Sequence, residues 1–513
     1  MGKLPQFFRR WDPCRLVIYQ ERIGVFAKPS DIDKTPNTMY NCRMLYKDTR
    51  DTSVAVDFKT AVLKGMNSKT GGLFVPETIP KLPDQLLSKC TVPTFREIAL
   101  ETARLFIGSE IPDSDLQSII IDAYPFPAQV VPIDRITYVL ELFHGPTCAF
   151  KDFGARFMAR VMSYFNKSED DPLHILVATS GDTGSAVGSA FHNVPGLDVT
   201  ILYPTGKISP LQEKQLSTFT GNVRALSVDG TFDDCQKLVK TAFTDDQLRK
   251  RFRLSSANSI NIARLLPQSF YYTYAAMEVK HRCALDNKIE KPAIIMSVPS
   301  GNFGNLTSGL IAREMGAPIT GFIAATNSNH TIPDWINSGI YEARPSVQTY
   351  SNAMDVGAPS NYERIRYMYS YDQVRDLFAS YWLDNPGTLN AIKKCNDLTG
   401  YTIDPHGAVG WQAWYDIING GMEKLIKGEK TNPAEPGLTP NVPSWGKSVL
   451  YNEAVGIVLE TAHPSKFGEI VSQAIHKEPP IPDRLQKIMK LPDMSIKMKN
   501  DYATFKDWLI SNL

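Results

Sequence analysis

Hydrophobic and polar positions follow two rhythms along this chain. Beyond residue 130, short apolar runs rich in β-branched residues recur at 138–143, 175–178, 199–203, 223–228, 293–298, 321–325 and 454–459. Between them the spacing becomes helical; Phe153, Phe157, Val161 and Phe165 recur every four positions and mark one face of a helix. Short buried strands alternating with amphipathic helices predict an α/β fold, with mostly parallel sheets covered by helices on both faces. The series falls into two sheet-containing halves. In such sheets ligands collect at the C-terminal ends of the strands.

Ahead of this region, 53–64 predicts a short helix, 71–76 a turn into an extended piece, and 95–106 and 114–122 two further helices. The expected organisation is an N-terminal domain over 39–130, a region of two discontinuous α/β subdomains over 131–480, and a C-terminal tail or helix over 481–513. Residues 427–448, rich in proline and charge, predict a surface loop. Residues 1–38 carry Arg9, Arg10, Arg15 and Arg22, but Asp12, Glu21, Asp31 and Asp33 interrupt them, against the pattern of an organellar targeting peptide. This segment is expected to be an extension without fixed structure, and Met39 is an alternative start.

Composition narrows the function. The 513 residues are 43% hydrophobic and 21% charged, and 55 basic against 54 acidic residues give a net charge of +1. That balance points to neither nucleic acid nor an anionic membrane as partner. No apolar run is long enough to span a bilayer. The seven cysteines are scattered without a CxxC pair, which favours a reducing, cytoplasmic setting over disulfides or zinc. HExxH and GxSxG are absent, so no metal site and no hydrolase elbow is expected.

Four segments carry candidate chemistry, each following a predicted strand. In HGPTCAFKDFGARF, Lys151 opens a helix between Phe150 and Phe153. Desolvation and the helix N-terminus both favour a neutral, nucleophilic amine there. SGNFGN at 300–305 lies between a strand and a helix, so its backbone N–H groups suit a phosphate, although its spacing is neither a Walker loop nor a dinucleotide fingerprint. TSGDTG at 179–184 offers hydroxyls and a helix start to a second anion. ETAHPSKF at 460–467 is a polar strand end.

Together these segments resemble threonine synthase, a fold-type II pyridoxal-phosphate enzyme, in the longer form of fungi and many bacteria. GGLFVPE, ISPLQEKQL, SANSINIARLLPQ, SNAMDVGAPSNYER and DPHGAVG extend the resemblance collinearly over about 50–480. The resemblance implies that Lys151 carries pyridoxal 5'-phosphate as a Schiff base and moves protons. It further implies that Gly301, Asn302, Phe303 and Asn305 hold the cofactor phosphate and that Thr461 faces the pyridine nitrogen, whose neutral hydroxyl partner restrains transamination. Ser180, Asp182 and Thr183 would contact the substrate carboxylate or a cofactor oxygen. Lys214, Asn261, Arg264 and Lys466 are candidates for the substrate phosphate. Cys148 departs from the bulkier residue expected before Ala149.

The activity implied is conversion of O-phospho-L-homoserine and water to L-threonine and phosphate by a monomer or homodimer. A phospholyase that eliminates phosphate without forming threonine would keep the same motifs. A dehydratase would have no phosphate to grip, and a non-catalytic binding homologue would be expected to lose the lysine or the phosphate loop. His144 and His463 lie nearest the motifs and are expected to be structural more often than catalytic.

Overall fold

The computed structural model describes residues 44–513, apart from 90, 286–288 and 290. The expectations for residues 1–38, and those for Cys14, Cys42 and Cys90, lie outside the described residues. A small antiparallel sheet comes first, with β1 (Tyr46–Asp48) between β2 (Ala55–Val56) and β3 (Phe74–Pro76). The helix expected over 53–64 is therefore shorter, Phe58–Lys64, because Ala55 and Val56 pair with β1. After a short helix at Asp84–Leu87, the two further helices expected, Phe95–Ile107 and Asp113–Ala123, fall where the apolar spacing places them.

Two larger sheets follow, and the chain passes between them. β4 (Gln129–Pro132) and β5 (Thr137–Glu141) open the first. β6 (Leu173–Ala178), β7 (Leu197–Pro204), β8 (Val223–Asp229) and β9 (Arg253–Ser256) build the second. The chain then returns to the first for β10 (Ala293–Pro299), β11 (Gly321–Thr326), β12 (Phe378–Trp382), β13 (Gly437–Leu438) and β14 (Ala454–Glu460). β15 (Ile496–Lys499) goes back to the second. The stretch 481–513 is thus more than a tail: β15 pairs in parallel with β8, and Phe505 and Leu509 of the last helix pack beneath it.

The first sheet runs β13-β12-β11-β10-β14-β5-β4, parallel except for its two edge strands. The second, β15-β8-β7-β6-β9, is parallel throughout. Every residue of β10, β11 and β14 is buried, as parallel strands covered on both faces require. One core lies between the sheets and the N-terminal helices. A second lies under Trp411 and Trp414 of helix Pro405–Asp416, and a third under the C-terminal helix.

Strand order locates the site. In the first sheet the order reverses between β10 and β14, since β10 leads outward to β11 and β12 while β14 returns on its other side. In the second it reverses between β6 and β9. Loops diverge at such points and leave a crevice beyond the strand ends.

Candidate active site

The crevices of the two sheets open into one cavity of about 560 Å³. Lys151, Ser300, Thr461, Thr179 and Asn258 line it, drawn from the loops that follow β5, β10, β14, β6 and β9. An adjoining cavity of about 720 Å³ shares Ser180, Asn352 and Asp355 with the first.

Lys151 is the first residue of helix Lys151–Asn166, and its side chain is 13% exposed. Burial brings its amine down to about 8; Asp182 opposes that shift, while Lys466 and Arg264 add to it. Nζ lies 3.9 Å from Asp182 Oδ2. Asp182 is buried, and Lys466 Nζ stands 2.6 Å from its other oxygen. Burial alone would raise the Asp182 carboxyl, but Lys466 and Lys151 outweigh it and hold the group well below the usual carboxylate range. The loop before Lys151 is pinned from several sides. Thr147 donates from N and Oγ1 to Asp152, both at 2.8 Å, and its carbonyl accepts from Lys466 Nζ and Gln215 Nε2. Phe150 N donates to Thr461 O at 2.8 Å, which ties the lysine to the end of β14.

Residues 300–305 connect β10 to helix Gly304–Glu314. Among the described residues, no backbone acceptor takes the N–H groups of 301–305, so five donors stand at a helix N-terminus. Phe303 holds a left-handed conformation, φ 57°, unusual for a bulky residue and typical of functional loops. Asn305 Oδ1 accepts from the hydroxyls of Tyr271 (2.6 Å) and Tyr272 (2.9 Å), which fixes the amide and leaves its buried Nδ2 unpaired. A buried donor without a partner is costly, and an anionic ligand would satisfy it. At the end of the neighbouring strand β14, the Thr461 hydroxyl lines the same cavity and makes no bond within the described protein. An amine that burial keeps partly neutral, a cradle of N–H donors and a free hydroxyl form a donor set that fits pyridoxal phosphate.

The structure brings most of the expected residues together. Gly301, Asn302, Phe303, Asn305, Ser180, Thr183 and Arg264 line the cavity with Lys151 and Thr461, and Lys466 lines the adjoining one. Asn302 spends its side chain between loops, donating to Ser259 Oγ at 2.6 Å and accepting from Ser360 N. Asp182 sits behind the wall, paired with Lys466, so it faces Lys151 rather than the carboxylate of a substrate. Two expected residues are elsewhere. Lys214 donates to Leu491 O at 2.9 Å, on the side of its helix away from the cavity. Asn261 caps helix Ile262–Leu265 and donates to Val62 O and Ser256 O, a packing role inside the core. His144 is bound to Glu141 (2.8 Å) and His463 to Ser465, and neither lines the cavity.

His406 does line it, and sequence reasoning gives it no role. Ala353 N donates to its Nε2 at 3.2 Å, so the ring proton sits on Nδ1 and goes to Asp404 Oδ1, 2.9 Å away. Asn258 and Asn352 are also on the wall, each with an unpaired side-chain oxygen. DPHGAVG, SANSINIARLLPQ and SNAMDVGAPSNYER contain these residues. Similarity marks the stretches but does not say which side chain turns inward.

A buried lysine at a helix start, a cradle of N–H donors and a hydroxyl between two open, largely parallel sheets are the marks of a pyridoxal-phosphate-dependent enzyme. Residues 124–424 match the family model "Pyridoxal-phosphate dependent enzyme", 45–124 match "Threonine synthase N terminus", and 447–509 match "Threonine synthase, C-terminal". The chain is 39% identical to threonine synthase of Haemophilus influenzae over 461 residues, covering 89% of this chain and 97% of that protein. The crystal structure of threonine synthase from Escherichia coli superposes with a TM-score of 0.77 at 36% identity, over 92% of this chain and all (100%) of that one. A pyridoxal-phosphate-bound threonine synthase from Brucella melitensis superposes at 0.75 with 31% identity, covering 91% and 98%. The chain belongs to the threonine synthase family.

Proposed function

We propose that this enzyme converts O-phospho-L-homoserine and water to L-threonine and inorganic phosphate. The observation that carries the reading is the buried Lys151 amine, brought down to about 8, facing a cavity whose walls hold the N–H cradle of 301–305 and the Thr461 hydroxyl. When bound, pyridoxal phosphate supplies a carbonyl that captures the substrate amine and a ring that withdraws electrons from the substrate carbons.

The cradle and Asn305 Nδ2 would hold the cofactor phosphate, and Thr461 Oγ1 would face the ring nitrogen. Lys151 Nζ would hold the cofactor covalently until substrate arrives. Once free, its amine takes the proton from the substrate α-carbon. Because Asp182 stays ionised beside it, the proton gained is accommodated without a further group titrating. The same amine serves the β-carbon. Arg264, whose buried guanidinium donates from Nη1 to Ala257 O, has Nη2 for the substrate phosphate as it leaves. Ser180 and Thr183 offer hydroxyls to the substrate carboxylate. Among the described residues no helix is long and apolar enough to cross a membrane. We take the setting to be cytoplasmic and the assembly a monomer or homodimer, in keeping with the balanced charge and with cysteines scattered without a CxxC pair.

The test is to supply the cofactor-loaded enzyme with O-phospho-L-homoserine and quantify threonine and phosphate together, beside Lys151→Ala. Equal yields from the parent, with no product and no cofactor absorbance band from Lys151→Ala, are expected. Phosphate accompanied by a keto acid in place of threonine would replace this reading with a phospholyase.

A further inference from the structure

The ISPLQEKQL stretch turns a different residue inward from the one its charge suggests. Helix Pro210–Ser217 points Lys214 away from the site and buries Gln212 completely. The Gln212 amide is committed at both ends. Nε2 donates to Asp182 Oδ1 at 2.8 Å, while Oε1 accepts from Ser209 N at 3.2 Å and from Asn352 Nδ2 at 3.3 Å. Reversing the amide would set Nε2 against two donors, so its orientation is fixed. The loop before Asp182 is shaped around it. Gly181 has φ 127°, and a Cβ there would lie 2.7 Å from Gln212 Cδ.

Asp182 Oδ1 thus receives both Lys466 Nζ and Gln212 Nε2, and Oδ2 is left toward Lys151. Asn352 belongs to the first sheet's loops and Gln212 to the second's, so this amide joins the two walls of the cavity immediately behind the lysine. We propose that Gln212 is a positioning residue: it locks the Asp182 carboxylate in the rotation that presents Oδ2 to Lys151. Without it no neutral donor fixes the carboxylate between Lys466 and Lys151, so it turns, and the charge opposing the desolvation of Lys151 acts more weakly. The proposal rests on Lys151 being the cofactor lysine.

Gln212→Glu and Gln212→Leu, prepared as cofactor-loaded enzymes, separate positioning from packing. In Gln212→Glu the introduced carboxyl restores the donor to Asp182 when protonated and repels it when ionised. Burial and the neighbouring carboxylate keep that carboxyl protonated well above the ordinary glutamate range. Relative to the parent, Gln212→Glu is expected to regain kcat as pH falls from about 9 to about 6, while Gln212→Leu stays about tenfold low throughout. The losses fall in kcat more than in KM. The cofactor-free Gln212→Leu protein is also expected to bind pyridoxal phosphate about threefold more weakly, read by quenching of intrinsic fluorescence. If Gln212→Leu does not fold, Gln212→Met, closer in shape, carries the same expectation. The proposal is overturned if the two variants lose kcat in equal proportion at every pH, or if both keep it while only the melting temperature drops. A parent that releases phosphate without threonine would end the proposed reaction yet leave these comparisons intact. A parent lacking the cofactor absorbance band would instead remove the role of Lys151.

Discussion

His463 sits beside the site without entering it, and its titration reaches the stability of the fold. Burial, together with Arg484 nearby, pushes the imidazole down to about 4. In an unfolded chain the ring titrates near about 6.5. Between those values the unfolded chain takes up a proton that the folded one refuses. The stability tied to the neutral ring is therefore complete above about pH 6.5 and is lost as pH falls toward about 4. His463→Asn keeps a side-chain acceptor for Ser465 N and removes the titration. Its melting temperature should fall less steeply than the parent's between about pH 7 and about pH 5, and parallel curves would contradict the assignment. This burial was not legible in the sequence. His463 and Lys466 stand three apart in the same polar segment, yet one packs against Phe143 and the other reaches Asp182. Lys466 and Lys214 are likewise alike in type, and only the direction each backbone element faces separates a buried ion pair from a surface contact.

At the scale of elements, the pattern of apolar runs located β5, β6, β7, β8, β10, β11 and β14 to within a residue or two, because parallel strands buried on both faces are continuous in hydrophobicity. In the two large sheets it passed over β4, β9, β12, β13 and β15. β15 reads IKMK, with only Met498 buried, and β9 reads RLSS, polar at three of its four positions, so neither carries that signal. The loops were legible by composition, but their contacts were not. The proposed reading makes Gly301 a phosphate ligand, and the structure adds a second demand on it. A Cβ at that position would lie 2.7 Å from both Ala353 O and Met354 Cα, so the 300–305 loop packs backbone to backbone against the loop carrying Asn352. Gly301→Ala should push the two apart and weaken binding of pyridoxal phosphate by about tenfold or more, since neither contact is a flexible side chain that can yield. Titration of the cofactor-free variant measures it. Unaltered affinity would mean that the loops move freely and that the cradle is not set by their contact.

Across the whole molecule the site belongs to neither sheet alone. Lys151 and Lys466 follow strands of the first sheet and Asp182 follows β6 of the second, so the buried charges meet only where the two switch points face each other. The same contacts therefore bear on catalysis and on the joining of the two halves. Lys466→Met would leave Asp182 buried beside Lys151 without its nearest counter-charge, and breaking such a pair typically costs about 3–5 kcal/mol. Removing both charges is a different matter, because the desolvation of each disappears with it. Lys466→Met combined with Asp182→Leu should recover most of the lost stability, leaving a coupling of about 2 kcal/mol or more in a double-mutant cycle followed by denaturant unfolding. Activity should not return with stability, since the double variant leaves Lys151 without the carboxylate nearest it. If stability and activity recovered together, the pair would be needed only to hold the halves in place, and the proton-handling role given to Asp182 would have to pass to another group on the cavity wall.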